Sequence, residues 1–221
     1  MKFLDNNIEA VIFDMDGVLI DSYPMHKEAL EIVAAEYGFK VTEDDFISIF
    51  GKTSFEGMRS LQHSKNWDDE KILEFCNKQD MMFRKIFKKK PALIKGAIEF
   101  AEKLFSLGIP VVIGTSAPKG NVEIFLDSAN VRHLFKNFIS CDDVSKGKPD
   151  PEIFLRCAEL TNKQPENCLI FEDSLMGIEA GKVARAFVVA LSTTHKVHEL
   201  TNADYIISHF KDEKLNKIIT F

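Results

Sequence analysis

One stretch constrains this chain more than any other: Val11-Ile12-Phe13-Asp14-Met15-Asp16-Gly17-Val18. The apolar run Ile8 to Phe13 is rich in β-branched and aromatic residues and too short for a helix, which predicts a buried strand. It ends abruptly in two carboxylates one residue apart, and the C-terminal ends of strands in open α/β sheets are where ligands bind. Gly17 allows a sharp turn, because glycine takes positive φ at little steric cost. If the strand continues, Asp14 and Asp16 point to the same face. Two carboxylates so close repel one another, so they need a metal, a shared proton or a cationic neighbour. Aspartate also ends strands at ordinary turns, and the rest of the chain has to decide between these readings.

At 221 residues, the chain can form one large domain or a core carrying a smaller insert. Its 45% hydrophobic and 28% charged content describe a soluble globular protein. A net charge of −6 argues against nucleic acid as a partner, since phosphate backbones call for clustered Lys and Arg. The N-terminus lacks a basic stretch followed by an apolar signal core, and no apolar run approaches the ~20 residues of a membrane span. Cys76, Cys141, Cys157 and Cys168 are scattered rather than paired as in zinc or redox motifs, which suits buried free thiols in a reducing compartment. The expectation is a cytoplasmic protein with no membrane or nucleic-acid partner, a monomer or weak homodimer.

After the first strand, Asp21 or Ser22 offers an N-cap, with Pro24 in the first turn of a helix over Met25 to Tyr37 that Gly38 ends. Thr42-Glu43-Asp44-Asp45 opens a second helix running through Phe50. Helical spacing resumes at Phe55, Met58 and Leu61, and again from Asp68 toward Phe87. No strand pattern falls between Ser22 and Lys90, and Pro91 closes this all-helical block. Strands and helices then alternate: helix 96–107, strand 109–114, helix 121–129, strand 138–140, helix 150–160, strand 168–171, helix 176–184, then strands 186–191 and 205–207. Such alternation predicts right-handed crossovers and a doubly wound parallel sheet. The expected organisation is a core of residues 1–20 and 92–221, with residues 21–91 inserted as an all-helical cap.

Three predicted strands end in polar residues: Asp14/Asp16, Thr115/Ser116 and Glu172/Asp173. In a doubly wound sheet such ends converge on one crevice. A fourth element, Gly147-Lys148-Pro149-Asp150-Pro151, is a rigid loop that sets a lysine before a helix. A carboxylate nucleophile, a hydroxyl, a lysine and an acidic pair suit Mg²⁺-assisted phosphoryl transfer. In order and spacing, Asp14-Met15-Asp16-Gly17-Val18, Thr115-Ser116, Gly147-Lys148-Pro149-Asp150-Pro151 and Phe171-Glu172-Asp173-Ser174 resemble the four motifs of the haloacid dehalogenase superfamily. With Asp21-Ser22 and His26, the first motif is most similar to the β-phosphoglucomutase-like branch.

The resemblance implies a Rossmannoid core with a helical cap and gives each residue a role. Asp14 would form an aspartyl-phosphate, and Asp16 would serve as general acid and then base. Thr115 and Lys148 would hold the phosphoryl oxygens, with Ser116 an alternative to Thr115. Mg²⁺ would lie between Asp14, the backbone carbonyl of Asp16 and Asp173, with Glu172 as a ligand or behind the ligands. Halide expulsion needs no proton, so an acid at Asp16 favours phosphoryl transfer over dehalogenation. For the substrate, the loop Gly51-Lys52-Thr53-Ser54 reaches toward the site, with Lys52 aimed at a second phosphate or a sugar oxygen. His26 resembles a cap histidine that lies beside the aspartate in Asp16's place. Mutases of this branch carry an arginine soon after the loop glycine, whereas the first arginine here is Arg59. A pyrophosphatase would carry an acidic residue where Phe50 stands. The sequence therefore points to a phosphatase of a small phosphorylated metabolite, a sugar phosphate, with a phosphosugar mutase, a pyrophosphatase and a silent binding module as alternatives.

Overall fold

The computed structural model describes residues 1–4, 6–49 and 51–221. Phe50, on which both the end of the second predicted helix and the pyrophosphatase argument fall, lies outside the described residues.

The chain opens on two short strands, β1 (Lys2–Phe3) and β2 (Asn6–Asn7), paired antiparallel. The strand that ends in the two aspartates is β3 (Ala10–Phe13), and all four of its residues are buried. Four helices follow: α1 (Tyr23–Glu36), α2 (Glu43–Ile49), α3 (Ser54–Ser60) and α4 (Asp69–Lys89). The alternating part runs α5 (Ala97–Ser106), β4 (Val111–Gly114), α6 (Lys119–Ser128), β5 (Phe138–Ile139), α7 (Glu152–Leu160), β6 (Cys168–Glu172), α8 (Leu175–Val183), β7 (Phe187–Leu191) and β8 (Tyr205–Ile207). A last helix, α9 (Glu213–Ile218), leads into β9 (Ile219–Thr220), which pairs with β1.

The main sheet has the order β5-β4-β3-β6-β7-β8, and every pair in it is parallel. This is the doubly wound arrangement expected from alternation. β3 lies in the middle because its unbroken apolar run tolerates burial on both faces. Phe13 pairs with Ile113 of β4 and with Phe171 of β6, which brings Asp14 level with Gly114 and Glu172. One face packs Phe13, Phe100, Phe135 and Phe171, and the other packs Ile12, Phe154, Cys157 and Ile170. The four helices between β3 and α5 have a core of their own, built on Leu30, Val33, Phe46, Met58, Ile72 and Phe75. This is the helical cap on the Rossmannoid core.

Local chemistry explains most element starts. Thr42 and Asp45 cap α2 reciprocally: Asp45 N–H donates to Thr42 Oγ1 at 3.1 Å and Thr42 N–H to Asp45 Oδ2 at 2.9 Å. Asp68 caps α4 by accepting from Lys71 N–H at 2.9 Å. Ser22, one of the two expected caps of α1, makes no such bond: it is already in a helical conformation, and its hydroxyl is buried. α6 begins two residues earlier than the spacing suggests, right after Pro118, and α7 two later, right after Pro151. Cys76, Cys157 and Cys168 are buried free thiols as expected, whereas Cys141 is only half-buried.

Candidate active site

The crevice forms where β3, β4 and β6 end together. Asp14 N–H donates to Phe171 O at 2.9 Å, the last rung before the chain leaves the sheet. It then turns tightly, with Gly17 at φ +72° and Gly17 N–H donating to Ile20 O at 2.8 Å. A β-carbon on Gly17 would overlap the Asp173 carboxylate, so glycine is required there for space as well as for φ. The Thr193 hydroxyl ties this turn to the loop after β7 by donating to Gly17 O at 2.7 Å.

Lys148 is the hub of the crevice floor. Its Nζ donates to Asp14 Oδ1 at 2.8 Å, to Glu172 Oε1 at 2.7 Å and to Gly114 O at 3.3 Å, so all three hydrogens have acceptors. The lysine is 5% exposed, and its ammonium lies over the Phe154 ring, 4.8 Å from the centroid. Glu172 is bound by four donors. Besides Lys148, its Oε2 accepts from Asp173 N–H at 2.7 Å, Ser174 N–H at 2.6 Å and Ser174 Oγ at 3.0 Å. Asp173 accepts from the Thr194 hydroxyl.

Three buried carboxylates thus share one buried lysine, and the imbalance shows in their proton affinities. Burial pushes the Asp14 carboxyl up to about 7, against the pull of Lys148 and with help from Glu172 and Asp16. Burial, then Glu172 and Asp14, hold Asp173 well above the carboxylate range. Burial draws the Lys148 ammonium down, but Asp14 and Glu172 outweigh it and keep the lysine charged. Asp14, Glu172 and Asp173 each bring a carboxylate oxygen within 4.8 Å of the others. Hard oxygen donors with too little positive charge among them fit a divalent cation such as Mg²⁺. The Asp16 carboxylate is not in that group.

Asp16 faces the cap instead. His26 Nε2 lies 3.1 Å from Asp16 Oδ1, and the imidazole stacks on Phe83 of α4 at 3.9 Å between centroids. Burial works to raise Asp16, but the charge and hydrogen bond of His26 overcome it and hold the carboxyl low. Thr115 is buried at the end of β4, where its Oγ1 accepts from Ala117 N–H at 3.1 Å, and Ser116 lines the same cavity.

The expected cap residues reach the cavity too. Gly51, Lys52 and Thr53 line it with Asp14, Asp16 and Lys148. The Thr53 hydroxyl is also the cap of α3, accepting from Glu56 N–H at 3.3 Å and donating to Glu56 Oε2 at 2.8 Å. All the residues singled out from the sequence therefore meet in one place. Sequence reasoning missed Gln79 and Asp80 of α4 and Asn121 of α6, which line the same cavity. A signal was present: Gln79 and Asp80 interrupt the stripe Cys76, Phe83, Phe87, which is otherwise apolar and buried.

Comparison with known proteins agrees with this geometry. The model of the haloacid dehalogenase-like hydrolases matches residues 11–191. A phosphorylated carbohydrates phosphatase of Thermotoga maritima is 37% identical over 182 residues, 80% of this chain and 82% of that protein. The validoxylamine A 7'-phosphate phosphatase of Streptomyces hygroscopicus subsp. limoneus is 30% identical over 201 residues, 90% of this chain and 92% of its own. Among solved structures, a family IA variant 3 hydrolase of Entamoeba histolytica superposes with a TM-score of 0.84 at 28% identity, covering 96% of each chain. The match spans both the crevice motifs and the helices set between them, and the chain belongs to the haloacid dehalogenase-like hydrolase family.

Proposed function

We propose that this protein is a Mg²⁺-dependent phosphatase that hydrolyses a small phosphorylated metabolite, a sugar phosphate, through an aspartyl-phosphate on Asp14. One observation carries the reading: Asp14 Oδ1 is held by Lys148 at 2.8 Å on the floor of the crevice beyond β3, with Asp16 and His26 beside it. Lys148 fixes one carboxylate oxygen, so the other can attack phosphorus as the bond to the leaving oxygen breaks. An arriving phosphate dianion raises the proton affinity of Asp16, and Asp16 in its protonated form gives that proton to the leaving oxygen. Asp16 then takes a proton from water, whose oxygen attacks the phosphorus and frees Asp14 and inorganic phosphate. Thr115, with Ser116 beside it, and Lys148 would hold the phosphoryl oxygens. Asp14, Asp173 and the main-chain carbonyl of Asp16 would hold Mg²⁺, which when bound supplies positive charge against the phosphoryl oxygens. Glu172, saturated by four donors, serves to orient Lys148 and the Asp173 backbone.

In this reading residues 21–91 act as the cap over a core of 1–20 and 92–221, and the reaction takes place in the cytoplasm. The mutase alternative needs an arginine for a far phosphate, and none lines the cavity among the described residues. The test is phosphate release with Mg²⁺ from a panel of sugar phosphates, for the native protein and Asp14→Asn. Release that vanishes in Asp14→Asn is expected. Release that survives the substitution would exclude the covalent step.

A further inference from the structure

On its cap side the cavity is lined by two buried polar residues that the chemistry above leaves unused. Gln79 and Asp80 are each 7% exposed. Among the described residues, the Gln79 amide has no hydrogen-bond partner. Its polar atoms open onto the cavity, so the amide can donate to or accept from a molecule bound there.

Asp80 is held rigidly. Asn121 of the core, itself fully buried, donates from Nδ2 to Asp80 Oδ1 at 3.2 Å. Arg84 Nη1 donates to Asn121 Oδ1 at 2.9 Å. A guanidinium can only donate, so Arg84 turns the Asn121 carbonyl toward itself and the amino group toward Asp80. The second oxygen of Asp80 has no hydrogen bond among the described residues. Asp80 is also within electrostatic reach of Asp16 and His26, the groups assigned to the leaving oxygen.

Burial raises the proton affinity of Asp80 against the pull of His26 and Asn121; in its ionised form the carboxylate accepts and cannot donate, so a group that meets it must then bring a hydrogen or a positive charge. The described lining carries five carboxylates, Asp14, Asp16, Asp80, Glu172 and Asp173, against the lysines Lys52 and Lys148. Lys148 is committed to Asp14 and Glu172, which leaves Lys52 as the uncommitted lysine of the described lining, while His26 and Arg84 act on Asp80 from beside it. A second anion placed against Asp80 would meet a like charge in a partly desolvated space.

Resting on the phosphatase reading, we propose that Asp80, with Gln79 beside it, determines specificity by accepting hydroxyl groups of the leaving alcohol. It thereby selects monophosphates of neutral sugars or polyols and turns away esters that carry a second anion. The test compares kcat/KM for fructose 6-phosphate, fructose 1,6-bisphosphate and p-nitrophenyl phosphate with Mg²⁺, in the native full chain, Asp80→Asn and Gln79→Glu, each checked for a cooperative melt. The native protein should favour the monophosphate over the bisphosphate by about tenfold or more. Removal of one like charge in Asp80→Asn should lower that ratio about tenfold, and the added charge of Gln79→Glu should raise it. A ratio that neither variant moves, or native hydrolysis of p-nitrophenyl phosphate alone, would overturn the specificity and leave the phosphatase standing. No hydrolysis of any of the three by the native protein would bring down both.

Discussion

Replacing Lys148 with methionine tests whether the crevice is held together by charge. The ammonium makes bonds of 2.8 and 2.7 Å to Asp14 and Glu172, and all three side chains are buried. Methionine keeps most of the unbranched apolar stem and removes the ammonium, including its contact over the Phe154 ring, so the loss is chiefly electrostatic. Breaking one side of a buried ion pair costs about 3–5 kcal/mol. The lower end is expected here, about 3 kcal/mol at pH 8, because the orphaned carboxylates can take up protons instead of remaining charged. For a chain of this length each kcal/mol moves Tm by about 2–4 °C, which gives a fall of about 6–12 °C. The fall should depend on pH in a definite direction. Burial already raises Asp14 to about 7, and Lys148 is the main influence pulling it down, so Asp14 rises further in the variant. Below that raised value the folded variant binds protons that the unfolded chain, with a pKa of about 4, has already released. The variant therefore recovers stability as pH falls from 8 to 5.5. Circular dichroism melts of both proteins at the two pH values, in EDTA and then with Mg²⁺, measure this. A deficit of the same size at both pH values would refute the electrostatic account.

Two further outcomes follow from the same geometry. Gly17→Ala puts a β-carbon into the Asp173 carboxylate at a φ of +72°. It should cost about 1–3 kcal/mol in strain and weaken Mg²⁺ binding, which isothermal titration would show as a raised Kd; unchanged Mg²⁺ affinity would mean that Asp173 is not a ligand. His26→Leu removes the group that holds Asp16 low while retaining an apolar face for Phe83. It should lower kcat about 10- to 100-fold and shift the acid limb of the pH profile to higher pH, and a limb that stays in place would separate His26 from Asp16's proton.

The sheet and the crevice floor were legible because each rests on local pattern. β3 is an apolar run that ends in Asp14, and the strand ends at Gly114 and Glu172 carry the same signal, so parallel register alone brings them level. The small sheet of β1, β2 and β9 was not legible, since strands of two residues show no alternation and their pairing joins the two ends of the chain. α9 is a six-residue helix, too short for its spacing to stand out. The same limit applies to the site. Thr194 reaches Asp173 from the loop after β7, and no motif announces it. Gln79 and Asp80 look like the polar side of a long helix until the fold turns them inward against Asn121, which comes from an element 41 residues further along.

The distinction between what was legible and what was not has a physical basis. The residues proposed to act on phosphorus sit at or just after strand ends, where backbone geometry leaves few choices, and the chemistry admits few residue types. Residues that meet the rest of the substrate lie on helix faces, where many types are compatible with the fold and only packing decides which point inward. His26 belongs to both sets: it hydrogen-bonds Asp16 on the core side and stacks on Phe83 of α4 on the cap side. Asp80 lies one turn before Phe83 on that helix and is fastened to the core through Asn121. A displacement of α4 would therefore move Asp80 together with the Phe83 ring on which His26, a residue of α1, is stacked. On the proposed reading, recognition of the alcohol and delivery of its proton both depend on how α4 packs against α1 and the core.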